Sequence, residues 1–328
     1  MTRRDFITSA AGAAAASALG CAPDGGGAAV AATASSRIDV AAFHAARRFA
    51  PTSFGRIAYV ERGDGPAALF VHGLPLNGYQ WRGALERLSA VRRCIAPDMM
   101  GLGYSDIPQE QSLAPEAQAE MLAAFLDLLA LDTVDIVASD SGGAIAQIFV
   151  ARWPERVRTL LLTNCDVHED SPPPALRPVI EAARAGTFAD ANLLPQVRDK
   201  TLSLRPDGLA GCCYTQPDRL AAETIDCYLA PLVSSPLRKT QLDGYISALA
   251  RNPLLAIEPA LRRSPVPLRV VWGTGDRIFD PAGPNWLDHT FPQSRGVRLL
   301  EGANLFWPEE FPDILAEEAR GLWEAGPA

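Results

Sequence analysis

The 328-residue chain contains no run of about 20 strongly apolar residues, so a membrane-spanning helix is not expected. It also lacks a basic run, and its formal net charge of −8 argues against nucleic acid as a partner. Its six cysteines include no C-x-x-C pair, the spacing that zinc or dithiol redox chemistry uses. Zinc binding or dithiol redox chemistry through such a pair is therefore not expected. Histidine is scarce: His44, His72, His168 and His289 are all the chain has. Any proton transfer by imidazole must come from these four.

The N-terminus reads as an address rather than as fold. Residues 1–20, MTRRDFITSAAGAAAASALG, place Arg3 and Arg4 ahead of Phe6 and Ile7 and then a mildly apolar, alanine-rich stretch. This looks like a twin-arginine export signal, which implies an extracytoplasmic or periplasmic location. Two processing points stay open. Ala18-Leu19-Gly20-Cys21 resembles a lipoprotein box that would leave a lipid anchor on Cys21, while Ala32-Thr33-Ala34 offers an ordinary A-x-A cleavage site. Residues 22–36 are a Gly, Ala, Ser and Thr tether in either case. In an oxidising compartment cysteines can pair. Cys94 and Cys165 read as buried thiols, whereas Cys212, Cys213 and Cys227 lie close enough in sequence to include one bridge.

Without its first 36 residues the chain keeps roughly 290, enough for one large domain with an insertion. Strand-like runs occur at 55–61, 67–72, 93–97, 134–138, 159–164, 268–272 and 296–300, with amphipathic segments such as 115–130 and 143–153 between them. Alternation of this kind predicts a mostly parallel sheet with helices on both faces. From Ser171 to Arg263 the strand signal disappears, and proline-rich turns separate helical stretches. The expected organisation is a core of 37–170 and 264–328 with a helical cap, 171–263, inserted after the sixth strand.

Residues 136–147, IVASDSGGAIAQ, run from apolar β-formers through a small-residue turn into a helix. Such a strand-to-helix turn is tight enough to need small residues two positions before and two after its apex. Ala138 and Gly142 meet that condition around Asp140, and no such pair flanks Ser139 or Ser141. Four further blocks accompany it: HGLPLNGYQWR (72–82), DMMGLGYSD (98–106), WGTGD (272–276) and EGANLFWPEEFP (301–312). Together these motifs resemble the α/β-hydrolase superfamily, in its haloalkane dehalogenase and epoxide hydrolase branch. The resemblance covers the chain from the first of these blocks to the last, apart from the cap.

The resemblance implies that Asp140 is a carboxylate nucleophile that forms an alkyl ester, that the N–H groups of Leu74 and Ser141 make an oxyanion hole, and that His72 braces that loop. It implies that Asp276 orients the catalytic histidine. The departures are informative. Register on Gly302, Phe306, Glu309, Glu310 and Pro312 puts Leu305 where that histidine belongs, and leucine cannot move a proton. Ser141 and Leu74 also occupy positions where dehalogenases carry a Trp and often an Asn against the leaving halide. His168, or the carboxylate of Asp166, lies just past the sixth strand and is the alternative proton acceptor. Tyr214, Tyr228 and Tyr245 fall in the cap, where epoxide hydrolases use tyrosines. The expected function is hydrolysis of a small, largely apolar substrate, and the resemblance implies no metal or organic cofactor. A non-hydrolytic enzyme using Asp140 as general acid or base, and a pocket that binds without turnover, stay open beside it.

Overall fold

The computed structural model describes residues 38–325, so the expected export signal, the tether and Cys21 lie outside the described residues. Among the described residues eight strands form one sheet: β1 (Arg48–Thr52), β2 (Gly55–Arg62), β3 (Ala67–Val71), β4 (Arg93–Pro97), β5 (Val134–Asp140), β6 (Val157–Cys165), β7 (Leu268–Gly273) and β8 (Ser294–Leu300). Their order is β1-β2-β4-β3-β5-β6-β7-β8. The pairings β1/β2 and β2/β4 are antiparallel; all others are parallel. The expected α/β architecture is present. Strand β1, RFAPT, was not anticipated, because its Pro51 and its mostly uncovered residues break the strand signal. A proline is compatible with an edge strand, and β1 is the edge.

The sheet interior is apolar because the central strands are covered on both faces. Every residue of β3 and of β5 is buried. The one acid within β5 before its end, Asp135, is neutralised in place: it accepts from Arg92 Nε at 2.9 Å, Arg158 Nη2 at 2.8 Å and Thr159 Oγ1 at 2.8 Å. That clamp holds the strand that carries the turn at Asp140.

Chain direction decides where a site can form. After β3 the chain goes to β4 on one side of the sheet, and β5 lies on the other side of β3, so the C-terminal ends of β3 and β5 border a crevice. Between β6 and β7 the chain carries helices, including Arg177–Arg184, Leu209–Cys213 and Pro236–Ala248, and only an isolated bridge between Val167 and Asp170. These helices roof the crevice. Among the described residues no helix is long and apolar enough to cross a membrane.

The five described cysteines are all free thiols, so the expected bridge among Cys212, Cys213 and Cys227 is corrected. Cys227 Sγ instead lies 3.6 Å from His44 Nε2. His44 itself is packed against Tyr104, ring centroids 5.0 Å apart, and so belongs to the domain.

Candidate active site

Asp140 is the last residue of β5 and the cap of the helix Ser141–Arg152 that follows. Its backbone has φ 56° and ψ −143°, a combination that costs a side-chain-bearing residue about 1–3 kcal/mol and persists only where its surroundings enforce it. Small neighbours do the enforcing. A Cβ on Gly142 would lie 2.5 Å from the His72 carbonyl oxygen, and one on Gly73 would lie 2.2 Å from Asp140 Oδ1. A Cβ on Gly143 would lie 2.7 Å from Cys165 Sγ. The helix start, the loop after β3 and the end of β6 therefore approach one another as closely as glycine allows.

This approach aims two main-chain donors at one atom. Leu74 N–H donates to Asp140 Oδ1 at 3.0 Å, and Ser141 N–H donates to the same oxygen. Among the described residues Oδ2 has no hydrogen-bond donor, and Asp140, 7% exposed, faces a cavity of about 190 Å³. Burial pushes its carboxyl up to about 6; the N–H and hydroxyl bonds from Ser141 and the N–H of Leu74 oppose the shift. Ser141 Oγ, which also lies 3.3 Å from Leu74 N, is 2.9 Å from Tyr245 Oη. His72 lies beneath the loop. Its Nε2 accepts from Met99 N–H at 2.9 Å, which leaves Nδ1–H to donate to Gly73 O at 3.0 Å. The ring is thus neutral, in keeping with its lowered pKa, whose main cause is burial.

Two further sequence candidates share the cavity with Asp140. Leu305, 1% exposed, stands in its wall, as does Asp166. Burial, and then the charge of Asp140, push the Asp166 carboxyl up to about 8, so it holds its proton at neutral pH. Apolar side chains such as Val179, Leu209, Leu249 and Phe279 make up much of the remaining wall.

The others are placed elsewhere. Asp276 is absent from the cavity wall. It accepts from Ile278 N–H at 2.8 Å and Asn164 Nδ2 at 2.9 Å, which makes it a loop cap, and burial raises its pKa. His168 requires correction: its Nε2 lies 2.9 Å from Glu258 Oε2, its ring stacks on Trp286 at 4.6 Å, and it does not line the cavity. Tyr214 and Tyr228 require it too. Both hydroxyls donate to Glu309 Oε2, at 2.6 and 2.9 Å, a buried carboxylate that is paired through its other oxygen with Arg82. That pair floors a separate and larger recess of about 740 Å³, polar in character and without Asp140 in its wall. Of the cap tyrosines, Tyr245 reaches the elbow. His289 is exposed on the helix Gly283–Thr290.

Sequence reasoning missed Cys212 and Cys213 as cavity residues, and Asn164 as the hub between Asp276, Gly273 N–H and Trp307 Nε1. The position of Asn164 at the end of a parallel strand was the available signal; nothing local marked the thiols. No group of three or more metal-ligating side chains occurs among the described residues.

A family profile described as the alpha/beta hydrolase fold matches residues 66–309. The chain is similar to haloalkane dehalogenase 2 of Mycobacterium tuberculosis, 34% identical over 282 residues that cover 82% of this chain and 92% of that protein. A shorter similarity, 31% over 121 residues, covers 36% of this chain and 38% of the cis-3-alkyl-4-alkyloxetan-2-one decarboxylase of Shewanella oneidensis. Among solved structures, the ligand-free epoxide hydrolase CorEH superposes with a TM-score of 0.69 at 21% identity, over 85% of this chain and 98% of that one.

Proposed function

The chain belongs to the α/β-hydrolase-fold family, in its haloalkane dehalogenase and epoxide hydrolase-like branch, and from that premise we propose that it is an enzyme in which Asp140 attacks a small, largely apolar alkyl electrophile. The observation that carries this reading is the division of labour between the two oxygens of Asp140. Oδ1 is held by two main-chain N–H groups, while Oδ2 is open to the cavity. Attack by Oδ2 on a primary halide forms a C–O bond as the carbon–halogen bond breaks, and halide leaves with the electron pair. An epoxide opens in the same manner, its oxygen then needing a proton. Oδ1 becomes the ester carbonyl oxygen, already seated where charge develops when water attacks Cγ.

The second half-reaction is slow in this reading. Leu305 supplies no base for the attacking water, and loss of a positioned base removes about 10² to 10⁴ in rate. Asp166 is the residual acceptor. Once Asp140 is esterified its charge is gone, so one of the two main causes of the raised Asp166 pKa disappears and its carboxyl ionises more readily.

Intact-mass spectrometry after incubation with 1-bromobutane and with styrene oxide tests this reading. An adduct at Asp140 that accumulates, decays slowly and is absent from Asp140→Asn supports it; the absence of both adduct and halide release refutes it. One observation favours a second reading, acid–base chemistry without hydrolysis: two cavity carboxyls whose raised pKa values are about 6 and about 8, one poised as base and one as acid. Solvent deuterium entering a recovered substrate without any adduct would distinguish it. The similarity to a decarboxylase shows that at least one relative is named for chemistry other than hydrolysis. Export through the twin-arginine route is part of the proposal; Arg3 and Arg4 support it.

A further inference from the structure

Among the described residues no lysine, arginine or histidine stands in the wall of the Asp140 cavity. Negative charge that builds on Asp140 is therefore met there by neutral donors. Two of these are the main-chain N–H groups already placed on Oδ1. A third follows from the hydroxyls beside them. Tyr245 Oη lies 2.9 Å from Ser141 Oγ, and both residues are buried. Leu74 N–H, 3.0 Å from Asp140 Oδ1, is also 3.3 Å from Ser141 Oγ, so one donor is shared between two oxygens.

The direction of the hydroxyl protons follows from counting. Among the described residues Tyr245 Oη has no partner besides Ser141 Oγ, so a proton given by serine to the phenol would leave the phenolic O–H without an acceptor. A buried donor left unpaired is costly. Tyr245 O–H therefore donates to Ser141 Oγ, and the serine proton is free to point elsewhere. Asp140 Oδ1 shares the Leu74 N–H with Oγ, and a proton between these two oxygens removes the repulsion of their facing lone pairs. The Ser141 hydroxyl accordingly opposes the upward push of burial on the Asp140 carboxyl. Burial raises the Tyr245 phenol, so it keeps its proton throughout the range in which Asp140 titrates.

We propose that Tyr245 and Ser141 form a donor chain that extends the oxyanion hole from two donors to three, with Ser141 Oγ–H as the third donor to Asp140 Oδ1 and Tyr245 as the positioning residue behind it. This rests on the reading of Asp140 as nucleophile and adds to it how the slow hydrolysis of its ester is assisted. Water adds to Cγ, one of its protons passes to Asp166, and the carbonyl electron pair moves onto Oδ1. Ser141 hydrogen-bonds that oxygen without giving up its proton. On collapse the Cγ–Oδ2 bond breaks, and the alcohol leaves with Oδ2 and the second proton of the water, whose oxygen stays in the carboxylate.

The roof over the crevice thereby becomes part of the oxyanion hole. Tyr245 is carried on the helix Pro236–Ala248, which is tied to the loop after β4. Arg238 Nη1 donates to Ser105 O at 3.0 Å, its Nη2 donates to Gly103 O at 2.6 Å, and Gln241 Nε2 donates to Ile107 O at 3.1 Å. These bonds hold the phenol at the elbow. The other titratable groups near Asp140 are the carboxyls of Asp166 and Asp276, the thiols of Cys165 and Cys213 and the neutral ring of His72; none supplies a positive charge.

Two readouts on the full chain test this, and the first needs no reaction. With aspartate carrying carbon-13 at Cγ, the Asp140 carboxyl signal is assigned by its loss in Asp140→Asn and titrated by NMR. Its midpoint, about 6 in the wild type, should rise by about one pH unit in Ser141→Ala and by about half a unit in Tyr245→Phe, since each loses support for the ionised form. The second readout is decay of the Asp140 ester made with 1-bromobutane, followed by mass. Decay should slow about a hundredfold in Ser141→Ala, the usual cost of one oxyanion donor, and about fivefold in Tyr245→Phe, which leaves that donor in place but unsupported. Ser141→Thr keeps the hydroxyl and should stay close to the wild type in both readouts, which guards against a packing defect in the alanine variant. An unmoved midpoint in Ser141→Ala or in Tyr245→Phe overturns the proposal, as does ester decay that fails to slow in Ser141→Ala. Midpoints that move as expected with no ester from 1-bromobutane would sink the proposed function and leave the donor chain standing. An Asp140 ester whose decay ignores Ser141→Ala would do the reverse.

Discussion

Leu305→His tests whether one side chain accounts for the slow ester hydrolysis proposed for this chain. Leu305 stands in the cavity wall with Asp140, and its backbone is fixed on both sides: Leu305 N–H donates to Asn304 Oδ1 at 2.9 Å, Asn304 N–H to Thr215 Oγ1 at 2.9 Å and Phe306 N–H to Cys213 O at 2.9 Å. An imidazole introduced there enters the same cavity rather than solvent. Loss of the buried leucine costs about 2 kcal/mol of apolar burial. The negative charges of Asp140 and Asp276 offset part of the penalty by favouring the protonated ring. A positioned base is worth about 10² to 10⁴ in rate, or roughly 3–5 kcal/mol on the barrier to ester hydrolysis, so the expected gain in turnover outweighs the loss of stability. The assay forms the Asp140 ester with 1-bromobutane, removes excess reagent by rapid desalting and follows adduct decay by mass. Decay should quicken at least a hundredfold and rise with pH as the imidazole loses its proton. A folded Leu305→His chain whose ester decays within about threefold of the wild-type rate would refute the assignment of position 305.

Asp166→Asn should lengthen the life of the wild-type ester by removing the residual base, as adduct decay would show. It should also change the pH dependence of stability. A carboxyl raised to about 8 in the fold takes up a proton that the unfolded chain, with a carboxyl near 4, releases, so stability falls as pH rises between about 4 and 8. Thermal melts should place the variant above the wild type at pH 8.5 and show a smaller difference at pH 5. Glu309→Gln removes the partner of Arg82 and the acceptor charge for Tyr214 and Tyr228, and should cost about 3–5 kcal/mol in denaturant unfolding while leaving the rate of Asp140 esterification unchanged. A large loss of esterification in a folded variant would return those tyrosines to the active site. Replacement of Arg3 and Arg4 by lysine should retain the protein in the cytoplasm, as fractionation would detect.

Two kinds of information separate in this molecule. The elbow could be read from Ala138, Asp140 and Gly142, because its geometry is local: a strand, an apex and small residues at fixed offsets fix the turn, and Asp140 has φ 56° accordingly. The alternation of strands and helices was legible for the same reason. Strand β1 escaped because an edge strand with proline carries no buried-face pattern. The empty histidine position was legible from motif register alone, and Leu305 does stand in the Asp140 cavity.

Which polar side chains face Asp140 depended on contacts between residues far apart in sequence. His168, three residues past β6, turns to Glu258 and Trp286, and Tyr214 and Tyr228 turn to Glu309, because a side chain follows the nearest buried charge or flat apolar surface and no local pattern records where these lie. Asp166 acquires its raised pKa from burial beside Asp140, 26 positions away in sequence. Cys212 and Cys213 enter the cavity because the cap folds over the crevice. The amino-acid sequence by itself determined the sheet, the turn and the carboxylate at its apex, since each follows from spacing along one element. Tertiary structure decided which groups share a cavity with that carboxylate, since burial and electrostatic proximity exist only after distant segments have packed.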